Sequence, residues 1–404
     1  MLKKIPVSDV RPGMFIQKLG DSWLTHPFWR GSFLLEEADD LAKIRKSGIA
    51  EVWIDTDRGL DGPDTRSPVL DDADPLPAPP VESPETRDPS IDRASLAAEL
   101  GRAQRLYEGS KARMRAMFAE ARLGRAIDTE GVQTLVEEIS ASVQRNPWAL
   151  ITVARLKTAD EYTYMHSVAV CALMIALARQ LGLPAHDTRE IGAAGLFHDI
   201  GKAQIPAEIL NKPGKLTDAE FAVVKTHPRL GWELLRKTKG IGDIALDVCL
   251  HHHEKMDGTG YPDRLSGDAI SLHARMGAVC DIYDAVTSNR PYKTGWDPAE
   301  SLRNMAQWTK GHLDERVFGA FVKSVGIYPV GSLVRLESGL LGVVVEQAEG
   351  SLLTPRVQAF FSAKSRAYVQ PRQVDLASPS ARDRISGPED PADWGITNIE
   401  AYWR

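Results

Sequence analysis

Apolar positions follow different periods along the chain. Near the start, Met14-Phe15-Ile16 and Val52-Trp53-Ile54 are short apolar runs that predict strands. Glu37 to Lys46 between them predicts a helix, which Gly48 can end. Residues 1–56 thus read as a small α+β module. Over 57–91 the pattern is lost: Pro, Asp and Ser dominate, and a disordered or extended linker is expected. Arg93 to Leu123 is rich in helix formers, and Val132, Leu135, Val136, Ile139 and Val143 then recur on one helical face. Pro147 interrupts and Ala149 to Lys157 resumes, so 92–148 reads as a helical connector. From 149 to 327 helical runs alternate with turn signals such as Gly182-Leu183-Pro184 and Asn211-Lys212-Pro213-Gly214, without strand alternation. After Tyr328-Pro329, three runs predict strands: Ser332 to Glu337, Leu341 to Glu346 and Val357 to Phe361. They suggest a small β unit over 328–375, barrel-like in outline, followed by a loose polar tail over 376–404. The fold class is mainly α, with a small α+β module at one end and a β-rich unit at the other.

Composition narrows the setting. Of 404 residues 43% are hydrophobic and 26% charged, which is ordinary globular material for about two to three domains. A net charge of -6 gives no support for broad DNA, RNA or membrane-surface binding. The longest apolar run, Val168 to Ala178, is shorter than the ~18 residues of a membrane span and reads as a buried helix. The first residues contain Lys3-Lys4 but no apolar stretch of a signal peptide. Cys171, Cys249 and Cys280 form no CxxC pair and read as reduced core cysteines, so a cytoplasmic location is expected.

Every candidate for chemistry lies in the helical stretch. His198-Asp199, in Leu196-Phe197-His198-Asp199-Ile200-Gly201-Lys202, joins two metal-binding side chains of different kinds. A carboxylate can bridge two cations while an imidazole binds one, which points to a two-metal hydrolytic centre. The plainer reading is an ion pair of Asp199 with Lys202. His166 starts the long apolar run and His227 precedes Pro228; either can be an ordinary helix-end histidine. His251-His252-His253-Glu254 can present two imidazoles to one pocket, although such runs also bind metals adventitiously. Asp281 and Asp284 share a helical face, where capping or ion pairing is the alternative. Taken together in one helical domain, these donors suit Fe, Mn or Zn better than Mg, and no Cys is available for a structural zinc site.

His166, His198-Asp199-Ile200-Gly201-Lys202, His227, His252-His253-Glu254-Lys255-Met256-Asp257-Gly258-Thr259-Gly260-Tyr261-Pro262, Asp281-Ile282-Tyr283-Asp284-Ala285 and Arg290-Pro291-Tyr292-Lys293 together resemble the HD-GYP domain, a subgroup of the HD phosphohydrolases. Ile5-Pro6-Val7 through Val10-Arg11-Pro12-Gly13-Met14 resembles DUF3391, which often precedes that domain. The resemblance implies hydrolysis of cyclic di-GMP to pGpG and onward to GMP in many members. It implies His166, His198, Asp199, His227, His252, His253 and Asp281 as ligands of two divalent ions, Fe or Mn foremost, with Zn, Ni, Co and Mg as alternatives. Asp199 is then the bridge and, with Lys202, catalytic. Lys202, Tyr261, Arg290 and Lys293 contact substrate, while His251 stays outside the set. Some members carry a Glu four residues before the first His that brings a third metal. Tyr162 stands there in this chain, which implies two metals. Alternatives are an HD hydrolase of another cyclic dinucleotide and a silent cyclic di-GMP sensor or scaffold. A homodimer and signalling partner proteins are compatible with each reading.

Overall fold

The computed structural model describes residues 2–19, 33–35, 41, 51–56, 58–60, 94–125, 127–155, 162–212, 214–288, 295–348 and 351–403. They fall into two units, Met1–Ser83 and Pro84–Arg404.

In the first unit, alternation drives an antiparallel sheet of β1 (Leu2–Pro6), β2 (Phe15–Leu19), β3 (Phe33–Leu34) and β4 (Glu51–Asp55) in the order β1-β4-β2-β3. Ile5, Ile16, Val52 and Ile54 turn to one face and form a core with Val7, Val10, Met14 and Leu35. Both strands read from the sequence are present, and Leu2–Pro6 and Phe33–Leu34 add two that were not foreseen. The expected helix Glu37 to Lys46 lies outside the described residues, apart from Leu41. So does the linker, apart from Arg58, Gly59 and Leu60.

The second unit is a helical body followed by a sheet. α1 (Leu96–Arg122) starts at Ser95, whose hydroxyl accepts the Ala98 N–H, and α2 (Thr129–Arg145) starts at Asp128, which accepts from Gly131. The α2 face foreseen from its spacing is the buried one: Val132, Leu135, Val136, Ile139 and Val143. After α3 (Ala149–Arg155) comes α4 (Tyr162–Gln180), the centre of the body. Val168 through Ala178 are all buried, so α4 is covered on every side. α5 (Ala185–Phe197) crosses it closely at Gly195, where a Cβ would lie 2.7 Å from the Cys171 Cα. A 3-10 turn (Ile200–Gln204) follows, then α6 (Ala207–Leu210), α7 (Asp218–Val224), α8 (His227–Leu235), α9 (Asp243–His251), α10 (Leu272–Thr287), α11 (Pro298–Trp308) and α12 (Glu315–Val325). Cys171, Cys249 and Cys280 are buried free thiols. Among the described residues no helix is long and apolar enough to cross a membrane.

The C-terminal sheet corrects two expectations. β5 (Leu333–Leu336), β6 (Leu340–Ala348), β7 (Ser351–Ser362), β8 (Ala367–Asp375) and β9 (Ile385–Pro388) form an open antiparallel sheet in the order β8-β7-β6-β5-β9, not a barrel. The segment after 376 is also not loose. β9 pairs with β5, and Ile396 and Trp403 are buried beside Leu333, Phe360 and Phe361. Few apolar residues, widely spaced, hid this segment, but each buries a large side chain.

One buried charge ties α1 to α2. Glu99 is fully buried and accepts from the Ser142 hydroxyl (3.0 Å) and both sides of the Arg145 guanidinium (2.9 and 2.8 Å). Arg102, about half exposed, adds a bond of 2.7 Å that solvent weakens. Burial pushes the Glu99 carboxyl up, but Arg145, Arg102 and Ser142 outweigh it and hold it below the usual range. Its pKa is depressed in the folded state, so its contribution is present above the unfolded value near 4.5 and is lost as pH falls below it. Glu99→Ala should therefore cost about 3 kcal/mol at pH 7, towards the lower end for a broken buried pair because Arg145 keeps some solvent. In denaturant titrations from pH 7 to 3, Glu99→Gln should lose less stability on acidification than the parent. Parallel acid limbs would contradict this role.

Candidate metal centre

α5 ends where the sequence changes from apolar to His198-Asp199. His198 still has helical dihedrals (φ -51, ψ -37), while Asp199 (φ -104, ψ 9) leaves the helix for the 3-10 turn. The break turns both side chains into one buried space. The turn can lie there because Gly201 has no side chain: a Cβ would stand 2.0 Å from the His227 carbonyl oxygen. α4 contributes His166, α8 begins with His227, His252 and His253 follow α9, and Asp281 comes from the middle of α10.

Three of the histidines are set by one device. A helix leaves its last four carbonyls without backbone partners. His198, just past α5, directs Nδ1 at the Gly195 carbonyl (2.8 Å). His227, after α7, does the same to Val224 (2.8 Å), and His252, after α9, to Cys249 (3.1 Å), with the Val248 carbonyl also at 3.0 Å. A carbonyl only accepts, so Nδ1 carries the proton and Nε2 presents a bare lone pair. His166 lies within a helix whose carbonyls are used, and Asp284 replaces them at 2.6 Å from Nδ1.

The lone pairs converge on Asp199. Around Oδ2 stand His198 Nε2 (3.3 Å) and His166 Nε2 (3.6 Å), with Asp281 Oδ1 2.9 Å from His166. Around Oδ1 stand His227 Nε2 (3.1 Å) and His252 Nε2 (3.8 Å). Two donor groups result, His166-His198-Asp199 and Asp199-His227-His252-His253, each within 4.8 Å internally, with Asp199 common to both. His253 Nδ1 lies 3.8 Å from Asp281 Oδ2. Asp199 Oδ1 is buried without a hydrogen bond, although it faces two imidazoles. Acceptors turned towards one another in a buried space suit divalent cations.

The protonation states agree at Asp199, Asp281, His252 and His253, but not at His166. Burial would raise the Asp199 pKa, but Lys202, His198 and His227 hold it well below the carboxylate range. Asp281 is held low in the same way, chiefly by His166. Burial pushes His252 well down and brings His253 to about 3, so both imidazoles are neutral donors. His166 goes the other way: burial lowers it, but Asp281 and Asp284 outweigh that and raise it.

Lys202 lies one turn from Asp199 with Nζ 2.5 Å from Oδ2. The ion pair weighed against a metal role is thus present, on one oxygen only. Tyr261 packs its half-buried ring 4.7 Å from the His253 ring. Its loop hangs on Glu254, buried, whose carboxylate accepts the N–H groups of Asp263 (2.6 Å) and Leu265 (3.1 Å). His251 points away, to Asp247 (2.7 Å) and Asp263 (3.3 Å). Arg290, Lys293, Glu161 and the Tyr162 side chain lie outside the described residues. The structure thus brings together His166, His198, Asp199, Lys202, His227, His252, His253, Tyr261 and Asp281. Sequence reasoning weighed Asp284 as a metal donor or ion-pair partner but not as the partner of His166, and gave no role to Glu254. The three-residue spacing from Asp281 signalled the first, and nothing local signalled the second.

Comparison with known proteins places this geometry. Residues 2–132 match the model of a domain of unknown function, DUF3391, and residues 141–317 that of the HD domain. A cyclic di-GMP phosphodiesterase of Pseudomonas aeruginosa is 55% identical over 404 residues, covering 100% of this chain and 96% of that one. A cyclic di-GMP phosphodiesterase response regulator of Xanthomonas campestris is 43% identical over 152 residues, 36% of this chain and 40% of its own. A 3′3′-cGAMP-specific phosphodiesterase of Vibrio cholerae is 36% identical over 166 residues, 41% of this chain and 38% of its own. The chain belongs to the HD-GYP family of HD-domain proteins, with a DUF3391 region ahead of the helical domain.

Asp284→Asn removes the charge that orients His166 without emptying the space. It should weaken retention of metal by about 10–100-fold, the usual cost of losing a ligand's outer partner. Elemental analysis after dialysis against graded chelator checks this; retention equal to the parent's would show that His166 needs no such partner.

Proposed function

We propose that the protein hydrolyses cyclic di-GMP to pGpG with two divalent cations, Fe or Mn in preference to Zn, Ni, Co or Mg, acting in the cytoplasm. The observation that carries this is the single carboxylate, Asp199, common to two imidazole groups. The substrate follows from the relative matched along the whole chain. The proposed ligands are His166, His198 and Asp281 on one side of Asp199 and His227, His252 and His253 on the other. When bound, the cations supply Lewis acidity towards a phosphodiester and an activated water.

The chain's own residues do the rest. Asp199 stays ionised because Lys202 and the imidazoles around it offset burial. Lys202, beside Oδ2, is placed to neutralise an oxygen of the scissile phosphate. Tyr261 borders the site through its contact with His253 and limits how substrate enters. Arg290 and Lys293 are assigned to phosphate or guanine by resemblance, Arg290 with the fork that suits phosphate. With Tyr162 where a third metal would need Glu, the reaction is expected to stop at pGpG. The Vibrio relative favours one second reading, a different cyclic dinucleotide as substrate.

Protein loaded with Fe(II) or Mn(II) without oxygen should convert cyclic di-GMP to pGpG, read by chromatography, and chelation should abolish the conversion. Asp199→Ala should lower turnover by at least about 10²–10³-fold, the scale of losing one preorganised electrostatic partner. Cleavage of 3′3′-cGAMP with cyclic di-GMP left intact would move the assignment to the second reading. Loaded protein inert to both would favour a sensor.

A further inference from the structure

α7 buries none of its residues. At seven residues it is far below the ~12–15 at which isolated helices become even marginal, so its ends must hold it. The Thr217 hydroxyl accepts the Glu220 N–H, and the Glu220 carboxylate accepts the Thr217 N–H and the Lys212 ammonium at 2.7 Å. What the helix presents to solvent is apolar: Phe221 is 45% and Val223 37% exposed. A single exposed Phe is ordinary; its neighbours make this one unusual. The Lys225 ammonium lies 4.6 Å from the Phe221 ring centre and 5.6 Å from that of Tyr261. Tyr261 in turn packs on His253, and Lys225 stands two residues before His227. Lys202 and Arg229 are taken up by Asp199 and Asp263, whereas no carboxylate among the described residues pairs with Lys225. A flat apolar ring and a cation without a carboxylate partner among the described residues thus stand together next to Tyr261, which packs on His253.

We infer that Phe221 and Lys225 form an outer subsite for the half of the cyclic dinucleotide that is not cleaved, its guanine stacked on Phe221 and its phosphate on Lys225. This rests on the phosphodiesterase reading above. A cyclic dinucleotide carries two phosphodiesters and two bases, and only one phosphodiester can occupy the Asp199 centre. The remainder is an anion with a planar face, which an ammonium beside an aromatic ring matches. Such contacts are the same before and at the transition state, so their loss raises KM and spares kcat.

Phe221→Ala and Lys225→Ala are to be assayed on cyclic di-GMP and on bis(p-nitrophenyl) phosphate, a diester without a second nucleotide. Each variant should raise KM for cyclic di-GMP about 5–50-fold with kcat within about twofold and the small diester unaffected. Phe221→Tyr and Lys225→Arg should restore the parent KM. An unchanged KM, or equal losses on both substrates, overturns the subsite. Wild-type protein that cleaves only the small diester removes the substrate reading and the subsite with it.

Discussion

A carboxylate with almost no access to water, ringed by imidazoles whose lone pairs face it, is the constraint around which the helical body is arranged. Asp199 is 1% exposed and ionised, and only Lys202 among its close partners is a permanent cation. Burying a charge on these terms is costly unless positive charge is supplied. The lysine covers one oxygen. The other is left with two imidazoles and no hydrogen bond, which explains why the donors divide into two groups about the same residue.

Helix ends make the arrangement affordable. Each helix has unsatisfied carbonyls in its last turn, and a histidine just beyond can satisfy one of them while turning its other nitrogen outward. α5, α7 and α9 all end in this way, at His198, His227 and His252. The same bond fixes the ring and chooses the tautomer. His166 enters from a continuous helix and needs a carboxylate instead, so Asp284 is as much part of its placement as α4. Close packing then requires glycine where backbone meets backbone, at Gly195 between α4 and α5 and at Gly201 beneath His227.

What could be read from the chain follows from how local each signal is. The burial of α2 and α4 was legible because apolar spacing is a property of one element. The donors were legible as a set because His and Asp are scarce within apolar helices. Asp199 as the shared carboxylate came with the resemblance, but which donors stand on which side of it was not legible, since that depends on contacts between His166, Asp281 and His227 across separate helices. The C-terminal segment was misread for a related reason. Ile396 and Trp403, with the partly buried Ile385 before them, are too far apart to form a pattern, and their burial comes from a strand and a sheet encountered earlier in the chain. The role of Glu254 was hidden because its partners are backbone N–H groups nine and eleven residues on.

Burial and access oppose each other in such a centre. The donors must be held without freedom, which α4, α5 and α10 ensure by their packing in the core. A dinucleotide must nevertheless reach them, so some of the surrounding structure has to be only lightly held. That part is α7. It is kept by a capping box instead of a core, whereas the loop after His253 is tied to Glu254, to the His253 and His312 carbonyls and through an Asp257–Ser266 bridge. Regions with little buried surface open at low cost, as a site that exchanges substrate and product requires. α7 leads directly into His227, one of the proposed ligands. A helix that buries none of its residues is thereby anchored at a residue of the centre that must stay still.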